Sequence, residues 1–298
     1  MPLFRKKRPS QPVGSSAGGP ARGSAPARRT DESDWRSFDP VAETYARLFA
    51  PNMALVAEDL VKLLEVHPGQ RVLDIGTGTG VGARAAAMAA GADGLAAGVD
   101  PSIGMLRAAR QESEGRYAAA DSIDLPFRDA TFDHVMSNFA IAFFPSYKTA
   151  LFDVLRVLRP GGRMAVSAWG SGDDQDEFRK TWRGVAEEFA EREVLADAQA
   201  RAVPWEERFG DRDRLKETLH DAGLRDIWTE VRQYRFEMSR EDWLTGREIT
   251  PLGRFLHQML GDELWEGFRT RSRQLFAERF PPVLNDFRQV NLAVGHKP

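Results

Sequence analysis

The sequence predicts an α/β protein: a doubly wound, mostly parallel sheet of seven strands, with amino-terminal helices and a helical insert before the last strand. Three observations carry this expectation. From Arg71 onward, short apolar runs alternate with stretches of helical period, as in strands joined by crossover helices. The run Val72-Leu73-Asp74-Ile75-Gly76-Thr77-Gly78-Thr79-Gly80 reads as a buried strand, a tight turn and a helix start. After about residue 170 the alternation lapses into charged, helical sequence before two further strand-like runs.

The elements follow in order. Residues 1–33 are rich in Gly, Ser, Pro, Ala and Arg and lack a hydrophobic period, so they are expected to form a disordered basic tail. One ordered domain is expected over 34–298, with amino-terminal helices over 34–68, a ligand-binding core over 69–170 and a second half over 171–298. Phe38, Val41, Tyr45, Leu48 and Phe49 recur at helical spacing, and a second helix covers Met53 to Glu65 before Pro68-Gly69 stops it. Arg71–Ile75 is strand one and Val81–Ala90 its helix. Gly94–Val99 is strand two, and Ser102 caps the next helix. Tyr117–Ala120 and Phe132–Ser137 are strands three and four, and Tyr147–Leu158 is a helix. Arg159-Pro160-Gly161-Gly162 is a structural turn in which Gly161 or Gly162 supplies a positive φ, and Arg163–Trp169 is strand five. Arg214–Ala222 is a helix closed by Gly223, Ile227–Met238 a long strand, 239–287 the helical insert and Gln289–Val294 the last strand.

Composition narrows the function classes. The 298 residues include no cysteine, which excludes disulfides, thiolate metal sites and cysteine nucleophiles. No metal site is expected, and no uncharged apolar run reaches the length of a membrane span. A cytoplasmic location is expected. Net charge is −3, but residues 1–30 carry about +7, leaving a body near −10 that is poorly matched to a nucleic-acid backbone.

The glycine loop matches a dinucleotide-binding pattern at Gly78, Gly80 and Ala83. Asp74 argues against that ligand, because a carboxylate beside an anionic pyrophosphate repels it. The same carboxylate attracts the ammonium and sulfonium of S-adenosylmethionine. Asp100, about 20 residues after Gly80, ends strand two where a carboxylate can accept two ribose hydroxyls; Pro101 and Ser102 follow it. Asp121-Ser122, after strand three, offers a carboxylate to an adenine amino group.

Taken together, these motifs with Leu125-Pro126-Phe127, Phe132-Asp133 and Leu158-Arg159-Pro160-Gly161-Gly162 resemble the class I S-adenosylmethionine-dependent methyltransferases, which have a Rossmann-like fold. Within them the chain is similar to the small-molecule group typified by the ubiquinone/menaquinone-biosynthesis C-methyltransferases, over roughly residues 35–170. The resemblance implies that Asp74, Gly76, Thr77, Gly78 and Gly80 hold the methionine end. It implies that Asp100, Pro101 and Ser102 bind the ribose, and that Met105 or Ile103 packs on adenine. Asp121 and Ser122 would read the adenine edge, and Asn138 and Phe139 would face the methionine and the acceptor. Tyr45 would fold over the cofactor as a lid.

Methyl transfer from a sulfonium needs a general base only where the acceptor must lose a proton. Tyr45 and His257 are the candidate catalytic side chains, and His134 reads as structural. Phe139, Phe143, Phe144, Trp169, Trp243, Leu252 and Phe255 are expected to line a pocket for a small, partly apolar acceptor. A nucleic-acid methyltransferase is the alternative; it would more often show an Asn or Asp followed by Pro-Pro and an aromatic where Asn138-Phe139-Ala140-Ile141 stands. A cofactor-binding protein without turnover is another, and a homodimer is compatible with the helical insert.

Overall fold

The computed structural model describes residues 34–171 and 176–298; the expected basic tail lies outside the described residues. A seven-stranded sheet runs in the order β3-β2-β1-β4-β5-β7-β6. Its strands are β1 (Arg71–Ile75), β2 (Leu95–Asp100), β3 (Arg116–Ala119), β4 (Phe132–Asn138), β5 (Leu158–Trp169), β6 (Arg225–Ser239) and β7 (Val283–His296). Neighbours among β1–β5 are parallel, and β7 is antiparallel to both β5 and β6. Strand order reverses between β1 and β4, so the carboxyl ends of β1, β2 and β4 flank a crevice where ligands settle in such sheets.

Helices cover both faces. On one, α2 (Ala50–Leu64) and α3 (Val81–Ala90) pack Val56, Leu60, Leu64 and Ala86 against Val72, Met136 and Leu292. On the other, α5 (Tyr147–Val157) and α9 (Arg212–Ala222) set Leu151, Val154 and Leu219 against Leu73, Val135 and Val166. Each fully buried side chain of this kind contributes roughly 1.5–3 kcal/mol of transfer free energy. The short α1 (Ala42–Leu48) leads into α2, and α4 (Ile103–Glu112) follows β2 with Ser102 as its cap, the Ser102 hydroxyl accepting from the Met105 amide at 3.1 Å. Among the described residues no helix is long and apolar enough to cross a membrane.

The expected turn at Arg159–Gly162 is folded into the start of β5 as an irregularity in the ladder. Gly161 takes φ +76° there and donates its N–H to the Lys297 carbonyl. The larger correction concerns the insert. Its helices, α10 (Arg240–Glu248) and α11 (Pro251–Arg279), end well before residue 287, and β7 begins at Val283. Pro281-Pro282 and Asn285-Asp286 look like turn formers in sequence. In the fold, Val283–Gln289 alternates exposed and buried positions while pairing with Gln233–Ser239 of β6. β5 stops at Trp169 opposite Val290, so this two-stranded ribbon overhangs the carboxyl end of the sheet. With α6 (Glu177–Glu187), α7 (Arg192–Ala202), α10 and α11 it encloses a third core around Trp182, Trp243, Phe268 and Phe276. The five-residue α8 (Glu206–Gly210) closes the circuit back to β5.

Candidate active site

The glycine loop leaves β1 with its backbone tied to β2: the Gly76 and Thr77 amides donate to the Val99 carbonyl at 2.8 and 3.0 Å. Gly76 has no substitute here. Its φ is +70°, and a Cβ would stand 2.2 Å from the Ala140 methyl, so the β1 and β4 ends meet only because that atom is missing. Gly78, at φ +53°, differs: a Cβ on it would meet nothing within 4 Å, so the loop's outer edge faces open space.

Asp74 is 1% exposed. One carboxylate oxygen accepts from the Thr77 hydroxyl at 2.7 Å; the other is buried without a hydrogen-bond partner. Burial pushes this carboxyl up to about 6, against the pull of Thr77 and the Ala83 amide, and the charge of Asp100 raises it further. Asp100 behaves alike. Its oxygens accept from the Gly78 and Ser102 amides at 2.9 and 2.8 Å, and burial pushes it up to about 6 despite those donors. Each oxygen has lone-pair capacity beyond one amide. An orphaned buried carboxylate oxygen, a second carboxylate with acceptor capacity and an open glycine edge fit S-adenosylmethionine, whose ammonium and ribose hydroxyls are donors.

The remaining expected cofactor residues distribute around this pair. Thr77, Ser102 and Met105 are buried; Pro101 is exposed, and Ile103, the alternative to Met105, is 38% exposed. Met105 lies with Ala42 and Ala108 beneath Phe38 and Tyr45, under the amino-terminal segment. Asp121 and Ser122 come beside Asp100 because the Ala120 amide donates to the Asp100 carbonyl at 3.2 Å. The Asp121 carboxylate closes a local turn onto the Ile123 amide.

Asn138 is placed differently from the expectation that it faces the ligands. Its amide donates to the Met53 carbonyl at 3.0 Å, and its oxygen accepts from the Ser167 hydroxyl at 2.7 Å. Ser167 in turn accepts from the Phe139 amide at 2.9 Å. This bracket holds Phe139 at φ +56°, a costly conformation for an aromatic residue, and lays its ring on Trp169 with centroids 4.0 Å apart.

Phe139 also walls a cavity of about 480 Å³ beneath the overhanging ribbon. Phe143, Trp169, Trp243 and Leu252 line it as expected, and Tyr45, expected as a lid over the cofactor, lines it too. Phe144 and Phe255 do not: Phe144 is packed in the core below the sheet, and Phe255 stands against Trp35. His257 is corrected too. It is absent from the lining; its ring is half-exposed on α11, stacked on Trp265 and 3.1 Å from the Asp262 carboxylate. No histidine lines the cavity among the described residues. Tyr45 sits at the junction of cleft and cavity, where burial and the Asp100 charge push its phenol up to about 12, so it is protonated near neutrality in the ligand-free chain. His134, inside β4, is pushed down to about 4 by burial and bonds Gln70, which fits a structural role.

Sequence reasoning missed two groups. Asp39 accepts from the Ser102 hydroxyl at 2.6 Å and the Gly104 amide at 2.7 Å, fastening the amino-terminal segment over the cleft, while Arg254 of α11 donates to the Ser37 carbonyl from the other side. In sequence, Asp39 stands between Phe38 and Val41 with nothing to mark it as a site residue. Trp182, Arg179, Arg247 and Arg288 also line the cavity, and their sequence neighbourhood shows only a charged helix or a strand edge.

Comparison with known proteins agrees with this geometry. Residues 73–166 match the methyltransferase domain family. The chain is 31% identical over 197 residues to a demethylmenaquinone methyltransferase of Geobacillus sp. (strain WCH70), an alignment spanning 60% of this chain and 80% of that one. It is 31% identical over 178 residues to a demethylmenaquinone methyltransferase of Paenarthrobacter aurescens, spanning 56% and 67%. In fold it is similar to Haemonchus contortus phosphoethanolamine N-methyltransferase 2, solved with S-adenosyl-L-methionine, at TM-score 0.55 and 21% identity over 93% of this chain and 61% of that one. YcgJ of Bacillus subtilis gives TM-score 0.51 at 21% identity over 81% and 97%. With the carboxylate pair, the glycine loop and these relatives in view, the chain belongs to the class I S-adenosylmethionine-dependent methyltransferases.

Proposed function

We propose that this methyltransferase acts on a small, partly apolar, ring-containing acceptor held in the cavity beneath the β6–β7 ribbon. The observation that carries this reading is the shared wall: Phe139 directly follows β4 beside the glycine loop and also lines the 480 Å³ cavity, a size typical of small-ligand sites. The cofactor supplies an already activated methyl group on sulfur. Asp74 and the loop glycines would fix the methionine end, Asp100 the ribose, Met105 and Asp121-Ser122 the adenine. Phe38, Tyr45 and Phe143 would exclude water at the junction, and the rings of Phe139 and Trp169 would orient the acceptor for in-line displacement. Catalysis of this kind rests on positioning and desolvation rather than on one essential base. The named relatives make a quinol-like aromatic ring a natural first acceptor to try. We assign the reaction to the cytoplasm and to a free metabolite rather than a nucleic acid; a homodimer remains part of the proposal, to be read by sedimentation.

The test is calorimetric titration of wild type and Asp100→Ala with S-adenosylmethionine and S-adenosylhomocysteine, with NAD as control. An assay of S-adenosylhomocysteine release against hydroquinones, phenols and a nucleic-acid substrate follows. Cofactor binding with release only on ring-containing metabolites supports the reading. Release only on nucleic acid, or cofactor binding with no turnover on any acceptor, overturns it in favour of the corresponding alternative.

A further inference from the structure

The two edges of the sheet differ. β3, at one end, is only four residues long and offers little open backbone. β6, at the other, is 15 residues long, carries no proline or lysine, and has β7 as its only strand partner among the described residues. A strand edge of that length presents a row of unpaired N–H and C=O groups that can template a further strand. Two large apolar side chains also stand exposed on it, Trp228 at 43% and Val231 at 42%.

The sequence of β6 fits this edge itself. Set against a second copy in antiparallel about Val231, it places Glu230 opposite Arg232, Thr229 opposite Gln233 and Trp228 opposite Tyr234. Moving the centre by one residue sets Arg232 against Arg232 in one direction and Glu230 against Glu230 in the other. Within one chain Arg232 already holds Glu230 at 2.6 Å and Asp59 at 2.7 Å, and exposed pairs of this kind add little stability. The charges therefore act mainly by penalising the neighbouring registers. The pairing also has a built-in end. The β6–β7 register shifts between Arg225 and Trp228, and Asp226 takes φ +48°, so the strand is irregular just before Trp228.

We propose that a second copy of this chain pairs on β6, antiparallel and centred on Val231, so that two sheets join into one across a two-fold axis. This rests on the homodimer of the functional reading and gives it an interface. One short strand pair lies at the low end of interface sizes, so the association is reversible on dilution.

The chain has no cysteine of its own, so a single introduced thiol reports its own surroundings. The experiment is sedimentation equilibrium of the full chain over a concentration series, with mild oxidation of V231C and of F152C. Phe152 is a control on α5, 74% exposed and away from the edge. Opposed residues of an antiparallel pair bring their Cβ atoms about 4.5–5.5 Å apart, within a small adjustment of disulfide geometry. The expected result is a concentration-dependent dimer, with V231C cross-linking about tenfold faster than F152C or more. E230R sets like charges across the seam twice and should weaken association by about tenfold. The exchange E230R/R232E should restore it. Retained binding of S-adenosylhomocysteine shows that each variant is folded. A monomer at every concentration overturns both the interface and the homodimer. A dimer that E230R leaves intact, or that cross-links no faster through V231C than through F152C, overturns the interface and leaves the homodimer to another surface.

Discussion

The cofactor cleft and the acceptor chamber share Phe139 as a wall, yet they are made of different materials. The cleft is built from backbone: amides of Gly78 and Ser102 on Asp100, amides of Gly76 and Thr77 on Val99, and a Cβ missing where β1 meets β4. Most of its parts lie within a few residues of a strand's carboxyl end. The chamber is built from side chains, aromatic and guanidinium, contributed by α1, α6, α10 and the overhanging ribbon. Backbone parts suit a ligand common to a whole family. Side-chain parts change without disturbing the sheet, so they suit the acceptor, which differs between members.

Substitutions can break this division. The largest effect is expected from Asp100→Ala, which removes the carboxylate proposed to accept both ribose hydroxyls and should weaken S-adenosylmethionine binding by about a hundredfold by calorimetry. The division fails if acceptor affinity alone changes. Next is pH. Asp74 and Asp100 are both pushed up to about 6, and the ligand's donors need them ionised. Cofactor affinity should be level above about pH 7 and fall by at least tenfold per unit below about pH 6. The ligand-free fold should move the opposite way. Its carboxyls hold protons more tightly than the unfolded chain does, so they add stability at low pH that is lost as pH rises from about 4 through 6. Chemical denaturation with and without S-adenosylhomocysteine across that range checks both signs.

Asn138→Ala is a smaller perturbation and tests the wall itself. It strips the Met53 carbonyl and Ser167 hydroxyl of a partner and should cost about 1–3 kcal/mol in denaturation. If the bracket positions Phe139, KM for the acceptor rises more than the cofactor Kd; equal changes would assign Asn138 to the cofactor instead. His257→Ala should do least, changing stability by no more than about 0.5 kcal/mol with kcat unaltered. A large fall in kcat would return this histidine to the active site.

The same division explains what the sequence made legible. The alternation of strands and helices and the strands' order along the chain could be read because each rests on local periodicity and turn chemistry. Asp74 and Asp100 could be read as a pair because glycine spacing and strand ends announce them. Asn138 was misplaced because a strand-end amide looks alike whether it faces a ligand or, as here, Met53 and Ser167. The start of β7 was hidden because Asn285-Asp286 has turn-like composition, and only pairing with Phe236 and Glu237 holds it extended. Arg288 and Trp182 carry no local mark at all; their place depends on contacts across long stretches of chain.

The segment around Phe38 and Asp39 has a kinetic consequence. It is fastened on one side to the start of α4, next to Asp100, and on the other to Arg254 of α11, while Phe38 touches Tyr45 and Phe143 between them. A ligand that firms up either attachment spares its companion part of the ordering cost. By thermodynamic reciprocity, donor and acceptor should then tighten each other's binding by one common factor, and where that coupling falls on dissociation a spent cofactor leaves more slowly while a methylated product is still in place.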